Sequence, residues 1–495
     1  MSLTTPRTVP VANTDRFFIG GKWVRPSSDS MIDVIDSDTE KVYFSVVEAR
    51  EADVDRAVAA ARQAFDQGPW PTMSHAERAG YLQAIAAGLR ERGADLGEVW
   101  PHQSGILHSM ARHVGTGNAG TFESYAGLAD TFPFEERARP TAGGQFGLLV
   151  REPVGVVGAI VPWNGPSITS HKVAPALLAG CTVVLKLSPE APGEGYILAQ
   201  IAESVGLPPG VFNVVTADRQ VSELLVRDPR IDKISFTGSS AAGRTIGSIC
   251  GARIARCTLE LGGKSAAVIL DDMDIPTAAN TLAAAECMLS GQACSSLTRI
   301  IITRRRHDEM VDALAEAFSR VRVGDPFDPN SQMGPLVSER QRDRVEGYIA
   351  KGKAEGAVLA AGGGRPKHLE RGYYVEPTVF GNVDNSSTIA QEEIFGPVLS
   401  VIPADDEEQA IAIANDTIYG LNSSVFTHDV DRARDLARRL RTGTVGHNAW
   451  RSDWGIALGG FKQSGLGREG GPEGLRSFLE PKTVILEDCP SGYDA

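Results

Sequence analysis

The sequence predicts an α/β protein built on a parallel, doubly wound sheet, and three observations carry that prediction. Apolar strand-like runs alternate with helical runs from Gly155 to about Ala241, and again from about Ser265 to Val445. The strand KISFT runs into a glycine-and-serine turn and then a helix, the junction at which such sheets bind ligands at the carboxyl ends of their strands. At 495 residues the chain exceeds one ordinary core and calls for two or three domains.

The elements follow in order. FFIGGKWV, Phe17 to Val24, reads as a hairpin around Gly20-Gly21. EADVDRAVAAARQAF, Glu51 to Phe65, has helical spacing with acids at its start, and Ala76 to Leu128 continues as mostly helix. The pattern changes to strand character at FPFEERARPTAGGQFGLLVREPVGVVGAIV. Then come the strand GVVGAIVPW, the short helix SHKVAPALLAGC, the strand TVVLKL, the helix YILAQIAESVG, the strands GVFNVVT and KISFTG, and a helix from about Ala241. EGAVLAAGGGRP, Glu355 to Pro366, reads as a glycine-rich surface loop with no assigned function.

Composition narrows the function classes. Hydrophobic residues are 42% and charged residues 22%, the balance of a soluble globular protein. The net charge of −13 argues against nucleic acid and anionic membrane, which need a basic face. MSLTTPRTVPVANTDRF is too polar for a secretory signal, and Pro153 to His171 is too rich in glycine, proline and polar residues to span a membrane, so a cytoplasmic protein is expected. Six cysteines are too sparse for a disulfide framework and form no CxxC pair. His102, His108 and His113 lack the spacing that puts two ligands on one helix face, and no metal is expected.

Several segments carry chemistry, and each also has a plain structural reading. GGKS at Gly262 to Ser265 is not a phosphate loop, because that motif needs glycine where Thr258 stands. GSSAAG, Gly238 to Gly243, is either a phosphate cradle with Ser239 as donor or a serine-capped turn. Lys186, ending an apolar strand, can meet a ribose or phosphate, or simply be solvated. Glu260, between leucines, is either a general base with a raised pKa or a salt-bridged surface acid. Asn164 in PWNGP can donate to an oxyanion or serve a turn. Cys294 in GQACSSLTR is a nucleophile or a structural thiol.

Taken in order, PWN, VLK, FTGS, LELGGKS, GQxC, EEIFGP and GGFKQSGLGRE resemble the aldehyde dehydrogenase superfamily over almost the whole chain, from FFIGGKWV to EPKTV. The resemblance implies a Rossmann-like cofactor domain (1–128 and 150–259), an α/β catalytic domain (260–460) and a small β oligomerisation hairpin (129–149, with 476–495 packed on it). It implies homodimers or homotetramers, a small-molecule aldehyde as substrate and NAD as cofactor, with NADP still open. Cys294 matches the nucleophile, which forms a thiohemiacetal and then a thioester. Asn164 matches the oxyanion donor and Glu260 the base that activates the hydrolytic water. Lys172 matches a lysine that helps proton movement. Ile160, Trp163, Lys186, Ser188, Phe236, Gly238, Ser239, Leu261, Glu393 and Phe395 match the cofactor contacts.

Some positions depart from the family pattern. Pro189 stands where a glutamate usually holds the adenosine ribose, TADRQ replaces a glycine-rich turn, and Asn164 to Lys186 is one residue short. Gly165 and Leu458 stand where aromatic rings are common, which predicts a wider aldehyde tunnel unless Trp450 and Trp454 refill it. Met288 and Ser296 also differ near the nucleophile. The expected substrate is therefore a medium to large apolar aldehyde. Two other readings remain: a CoA-acylating relative, against which Glu260 argues, and a non-catalytic binder, against which both Cys294 and Glu260 argue.

Overall fold

A computed structural model describes residues 9–493. The first eight residues, part of the segment read as lacking a signal, and the last two of the C-terminal segment lie outside it. Among the described residues no helix is long and apolar enough to cross a membrane.

Two large sheets organise the chain. The first has eight strands, in the order Gly465–Leu466, Arg256–Glu260, Lys233–Thr237, Val156–Ile160, Thr182–Leu187, Phe212–Thr216, Phe17–Ile19 and Lys22–Val24. Its five inner strands are parallel. The edges are antiparallel: the expected hairpin on one side, turning at Gly20 and Gly21 with positive φ, and Gly465–Leu466 on the other. VVGAI, TVVLKL and KISFT are buried along their whole length, as continuous apolar strands covered on both faces must be. The chain runs outward from Val156–Ile160 in one direction and later adds Lys233–Thr237 on its other side. Strand order therefore reverses between these two, and a crevice opens outside their carboxyl ends.

The second sheet has seven strands, Val358–Ala361, Thr378–Gly381, Val398–Ala404, Arg299–Thr303, Ala266–Ile269, Asn422–Phe426 and Thr444–His447, all parallel except the first. A three-stranded antiparallel sheet stands apart. Leu479–Leu486 pairs with Phe146–Pro153 from Leu479↔Pro153 to Leu486↔Phe146, and Glu135–Arg137 pairs on the far side.

Two local expectations are corrected. The stretch after Thr216 is not merely a substituted turn: Asp218 caps a helix over Arg219–Arg227, accepting from the amide of Val221 at 2.9 Å. Val221, Leu224 and Leu225 give it one apolar face at helical spacing. The segment Glu355 to Pro366 is not all loop either, since Val358–Ala361 forms the antiparallel edge strand beside Thr378–Gly381. Small alanines at half-exposed edge positions left no alternating pattern to read.

Candidate active site

One register row crosses the first sheet at its carboxyl end. Lys186 lies opposite Ile160, Ile160 opposite Phe236, and Phe236 opposite Leu259, with Thr237 opposite Glu260 one residue further. Parallel pairing thus brings Ile160, Lys186, Phe236 and Glu260 to the same rim, although they are spread over a hundred residues of sequence. Lys186 is not a solvated strand end. It is buried, and burial pulls its ammonium pKa down to about 8, against the attraction of Glu190 and Asp218.

Ser239 caps the helix Ser240–Arg253, accepting from the amide of Ala242 at 3.3 Å. Its hydroxyl proton stays available beside the helix N-terminus, so the cap and the anion cradle are compatible. Gly238 cannot carry a side chain here, because a Cβ would come 2.5 Å from the Phe236 ring. Ser188 donates to Glu190, which also accepts from Arg340 at 2.8 Å. Leu261 donates its amide to the carbonyl of Ser464 at 2.9 Å.

Cys294 sits in a tightly held loop. Gly291 has φ +69°, and a Cβ there would come 2.2 Å from the backbone of Gly396. Asn164 Nδ2 donates to the carbonyl of Gln292 at 2.9 Å, which ties the asparagine to the turn two residues before the cysteine. Gln292 Oε1 in turn accepts from the amide of Val337 at 2.9 Å. Trp450 Nε1 donates to the carbonyl of Ser295 at 3.1 Å, so that ring braces the residue after Cys294. Cys294 is partly accessible, and desolvation, with the nearby charges of Glu393 and Glu260, pushes its thiol pKa up to about 12. At rest it is a neutral thiol.

Glu260 is buried, and neither carboxylate oxygen has a hydrogen-bond partner. Burial holds its pKa well above 4.5; Glu469 adds to the rise, while Lys172 and Arg468 oppose it. Lys172 donates to Glu469 in a fully buried ion pair, and Ser235 Oγ lies 3.3 Å from both. Glu469, which motif reading passed over, is the buried acid that pairs with Lys172. It ends GGFKQSGLGRE, and the pairing of Gly465–Leu466 beside Glu260, with the bridge between Leu458 and Glu469, brings it to the site.

Glu393 accepts from the amide of Gly263 at 3.2 Å, and a Cβ on Gly262 would come 2.3 Å from its carboxylate. Burial raises its pKa to about 7. Phe395 has φ +63°, a costly conformation for a ring-bearing residue, and meets Trp163 edge-on with centroids 5.4 Å apart. The helix Glu339–Ala354 clamps this segment: Gln341 donates to the carbonyl of Phe395 at 2.7 Å and Arg344 to that of Glu393 at 2.6 Å. No motif marked those two residues. Among the described residues no group of three or more His, Cys, Asp or Glu could hold a metal ion.

Packing bears on three of the positions that departed from pattern, Gly165, Met288 and Ser296. A Cβ at Gly165 would come 2.3 Å from Ile168, so Ile168 occupies space that a larger residue would need. Trp454 stacks on His171 with centroids 4.1 Å apart. Met288, Ser296 and Trp450 line one small recess behind the cysteine loop.

Comparison with known proteins agrees with this geometry. The aldehyde dehydrogenase family model matches residues 23–484. A geranial dehydrogenase of Castellaniella defragrans is 44% identical over 471 residues, covering 95% of this chain and 98% of that protein. A Mycobacterium tuberculosis aldehyde dehydrogenase, crystallised with NAD+, superposes with a TM-score of 0.93 at 46% identity, covering 97% of this chain and 99% of that one. A cysteine-to-alanine variant of aldehyde dehydrogenase C from Pseudomonas syringae, crystallised with NAD+ and octanal, superposes with a TM-score of 0.93 at 38% identity, covering 99% and 100%. With its cysteine loop, its buried glutamate and a family match over nearly its whole length, the chain belongs to the aldehyde dehydrogenase family.

Proposed function

We propose that the protein oxidises a medium to large apolar aldehyde to the carboxylic acid with NAD, through a covalent intermediate on Cys294. The observation that carries this reading is Glu260, a buried carboxylate with a raised pKa and no hydrogen-bond partner, close enough to Cys294 for its charge to raise the thiol's pKa. A group left so costly is explained by a task in proton transfer.

The residues at the rim fit a dinucleotide. The helix N-terminus at Gly238 and Ser239 and the buried Lys186 suit a pyrophosphate and ribose. Glu393 and Phe395, held by Gln341 and Arg344, suit the nicotinamide end, beside Trp163. Ile160, Ser188, Phe236 and Leu261 complete the walls. When bound, NAD supplies the hydride acceptor. Relatives crystallised with NAD+ support the same choice.

The protein's own groups divide the remaining work. The neutral Cys294 thiol passes its proton to the Glu260 carboxylate, which releases it to solvent before hydrolysis, as its sulfur attacks the aldehyde carbon. The thiohemiacetal oxyanion is held by the free hydrogen of the Asn164 amide, already fixed at the cysteine loop, and by the backbone N–H of Cys294. After oxidation the acyl group is a thioester on Cys294, and Glu260 takes a proton from the water that hydrolyses it. The Lys172–Glu469 pair sets the local charge against which Glu260 titrates.

The substrate class rests on Leu458, which presents no aromatic ring, and on relatives named for geranial or crystallised with octanal. The exposed strands of the three-stranded sheet, Glu135–Arg137 and Leu479–Leu486, are the proposed contact between subunits of a homodimer or homotetramer. A cytoplasmic setting suits an enzyme that needs Cys294 reduced. The test is NADH formation with octanal, benzaldehyde and acetaldehyde, with and without CoA, in the wild type and in Cys294→Ala. The expected result is CoA-independent activity, best with the larger aldehydes and absent from the variant. Activity that survives in Cys294→Ala overturns the mechanism, and a best kcat/KM with acetaldehyde overturns the substrate class.

A further inference from the structure

The helix Ser240–Arg253 packs on the strand Arg256–Glu260 in successive rungs. A Cβ at Gly243 would come 2.5 Å from Leu261, and one at Gly247 would come 3.6 Å from Leu259. The two glycines thus let the helix sit low on the sheet. One turn further along, on the same helix face and the same strand face, Cys250 faces Cys257. Both belong to one apolar cluster, and the left-handed Ile254, φ 55°, reverses the chain between them.

The two thiols are not alike. Cys250 is 1% exposed, while Cys257 keeps partial access to solvent. The neighbouring Cys250, helped by the charge of Lys233, lowers the Cys257 pKa against its burial. Cys294 and Cys181 are pushed up to about 12 and about 11. Cys257, more accessible than Cys250, is therefore the thiol that an oxidant meets first.

We propose that Cys250 and Cys257 form a reversible disulfide, a redox-sensitive site separate from Cys294, with a low-molecular-weight disulfide as oxidant. The Cys257 thiolate attacks one sulfur of that oxidant, breaks its S–S bond and releases one thiol, leaving a mixed disulfide. Cys250 then loses its proton and attacks the Cys257 sulfur, releasing the second thiol. Two S–H bonds are lost, one S–S bond is made, and the oxidant is reduced to two thiols. The crosslink would join the helix whose N-terminus carries Ser239 to the strand whose end carries Glu260.

The full-length protein, with Cys294→Ala to remove competing chemistry, is titrated with glutathione disulfide, alkylated after denaturation and mapped by mass spectrometry. The expected product is a Cys250–Cys257 crosslinked peptide, reversed by dithiothreitol. The exposed Cys489 serves as comparison and takes glutathione without forming a crosslink. Cys250→Ser is expected to leave glutathione on Cys257, and Cys257→Ser to leave Cys250 alkylated. Mapping the chain that keeps both cysteines decides the matter even if a serine variant misfolds. Cys250 and Cys257 both alkylated throughout the titration, or a lasting glutathione adduct on Cys257 with Cys250 alkylated, overturns the proposal.

Discussion

Lys172 donates to Glu469 across 297 positions of sequence, and both side chains are sealed from solvent. The pair lies beside Glu260 and acts on it in opposite directions, Glu469 raising its pKa and Lys172 lowering it. Breaking one partner therefore does two things. It leaves a buried charge unmatched, which costs roughly 3–5 kcal/mol of stability, and it moves the titration of the base.

The direction of that movement is fixed by charge. A base works when deprotonated, so kcat/KM should rise with pH as Glu260 ionises, above the usual 4.5. Lys172→Met removes a lowering influence and should shift the rising limb to higher pH. Glu469→Gln removes a raising influence and should shift it to lower pH. Paired pH–rate profiles check this, and limbs that coincide in all three proteins would show that Glu260 does not set them.

Glu260→Gln should lower kcat by about 10²–10⁴. It should also stabilise the fold. With its folded pKa raised, Glu260 favours the native state below about pH 4.5, and that contribution is lost as pH rises through the folded pKa. The amide has no charge to bury, so its thermal midpoint should exceed the wild type's at pH 7, with the gap closing toward pH 4. Melting curves at both pH values decide it; a variant less stable at pH 7 contradicts the burial argument.

Asn164→Ala removes both the proposed oxyanion donor and the tether to Gln292. A loss of about 10²–10³ in kcat is expected, the usual cost of one such donor. Stopped-flow measurement of the first turnover should place the loss in acyl formation. A variant slowed only in steady state would assign Asn164 a different role.

Glu190 sits one position after the place where a ribose-binding glutamate was sought. It is held by Ser188 and Arg340, near the buried Lys186. A carboxylate there repels a 2′-phosphate. Glu190→Gln should therefore tighten NADP binding roughly tenfold, about 1.4 kcal/mol for one relieved like-charge contact, with little change for NAD. Calorimetric titration of both cofactors checks it, and an unchanged ratio of their Kd values removes Glu190 from cofactor selection.

Local chemistry was legible wherever a short segment holds its own meaning. Continuous apolar runs marked VVGAI and TVVLKL as buried strands, and Gly20-Gly21 marked a hairpin. Glu260 between leucines was recognisable as an acid out of place. The helix Arg219–Arg227 was overlooked, although Val221, Leu224 and Leu225 carry its helical period. The edge strand Val358–Ala361 was not legible, because its small side chains carry no alternation.

By itself the sequence determined the α/β class, the order of the motifs and the identity of Cys294, Glu260 and Asn164 as the residues to examine. The class follows from periodicity along one chain, and the three residues from a motif order that resembles the family. Only the tertiary structure decided which residues act together. Parallel register lined up Lys186, Ile160, Phe236 and Leu259 on one rim, a bridge at Leu458 carried Glu469 to Lys172, and Ile168 took the space beside Gly165. Cys250 gained Cys257 as a neighbour because two glycines let a helix settle on a strand. Such pairings, like burial and the pKa shifts that follow from it, are set by what lies across the fold from a residue.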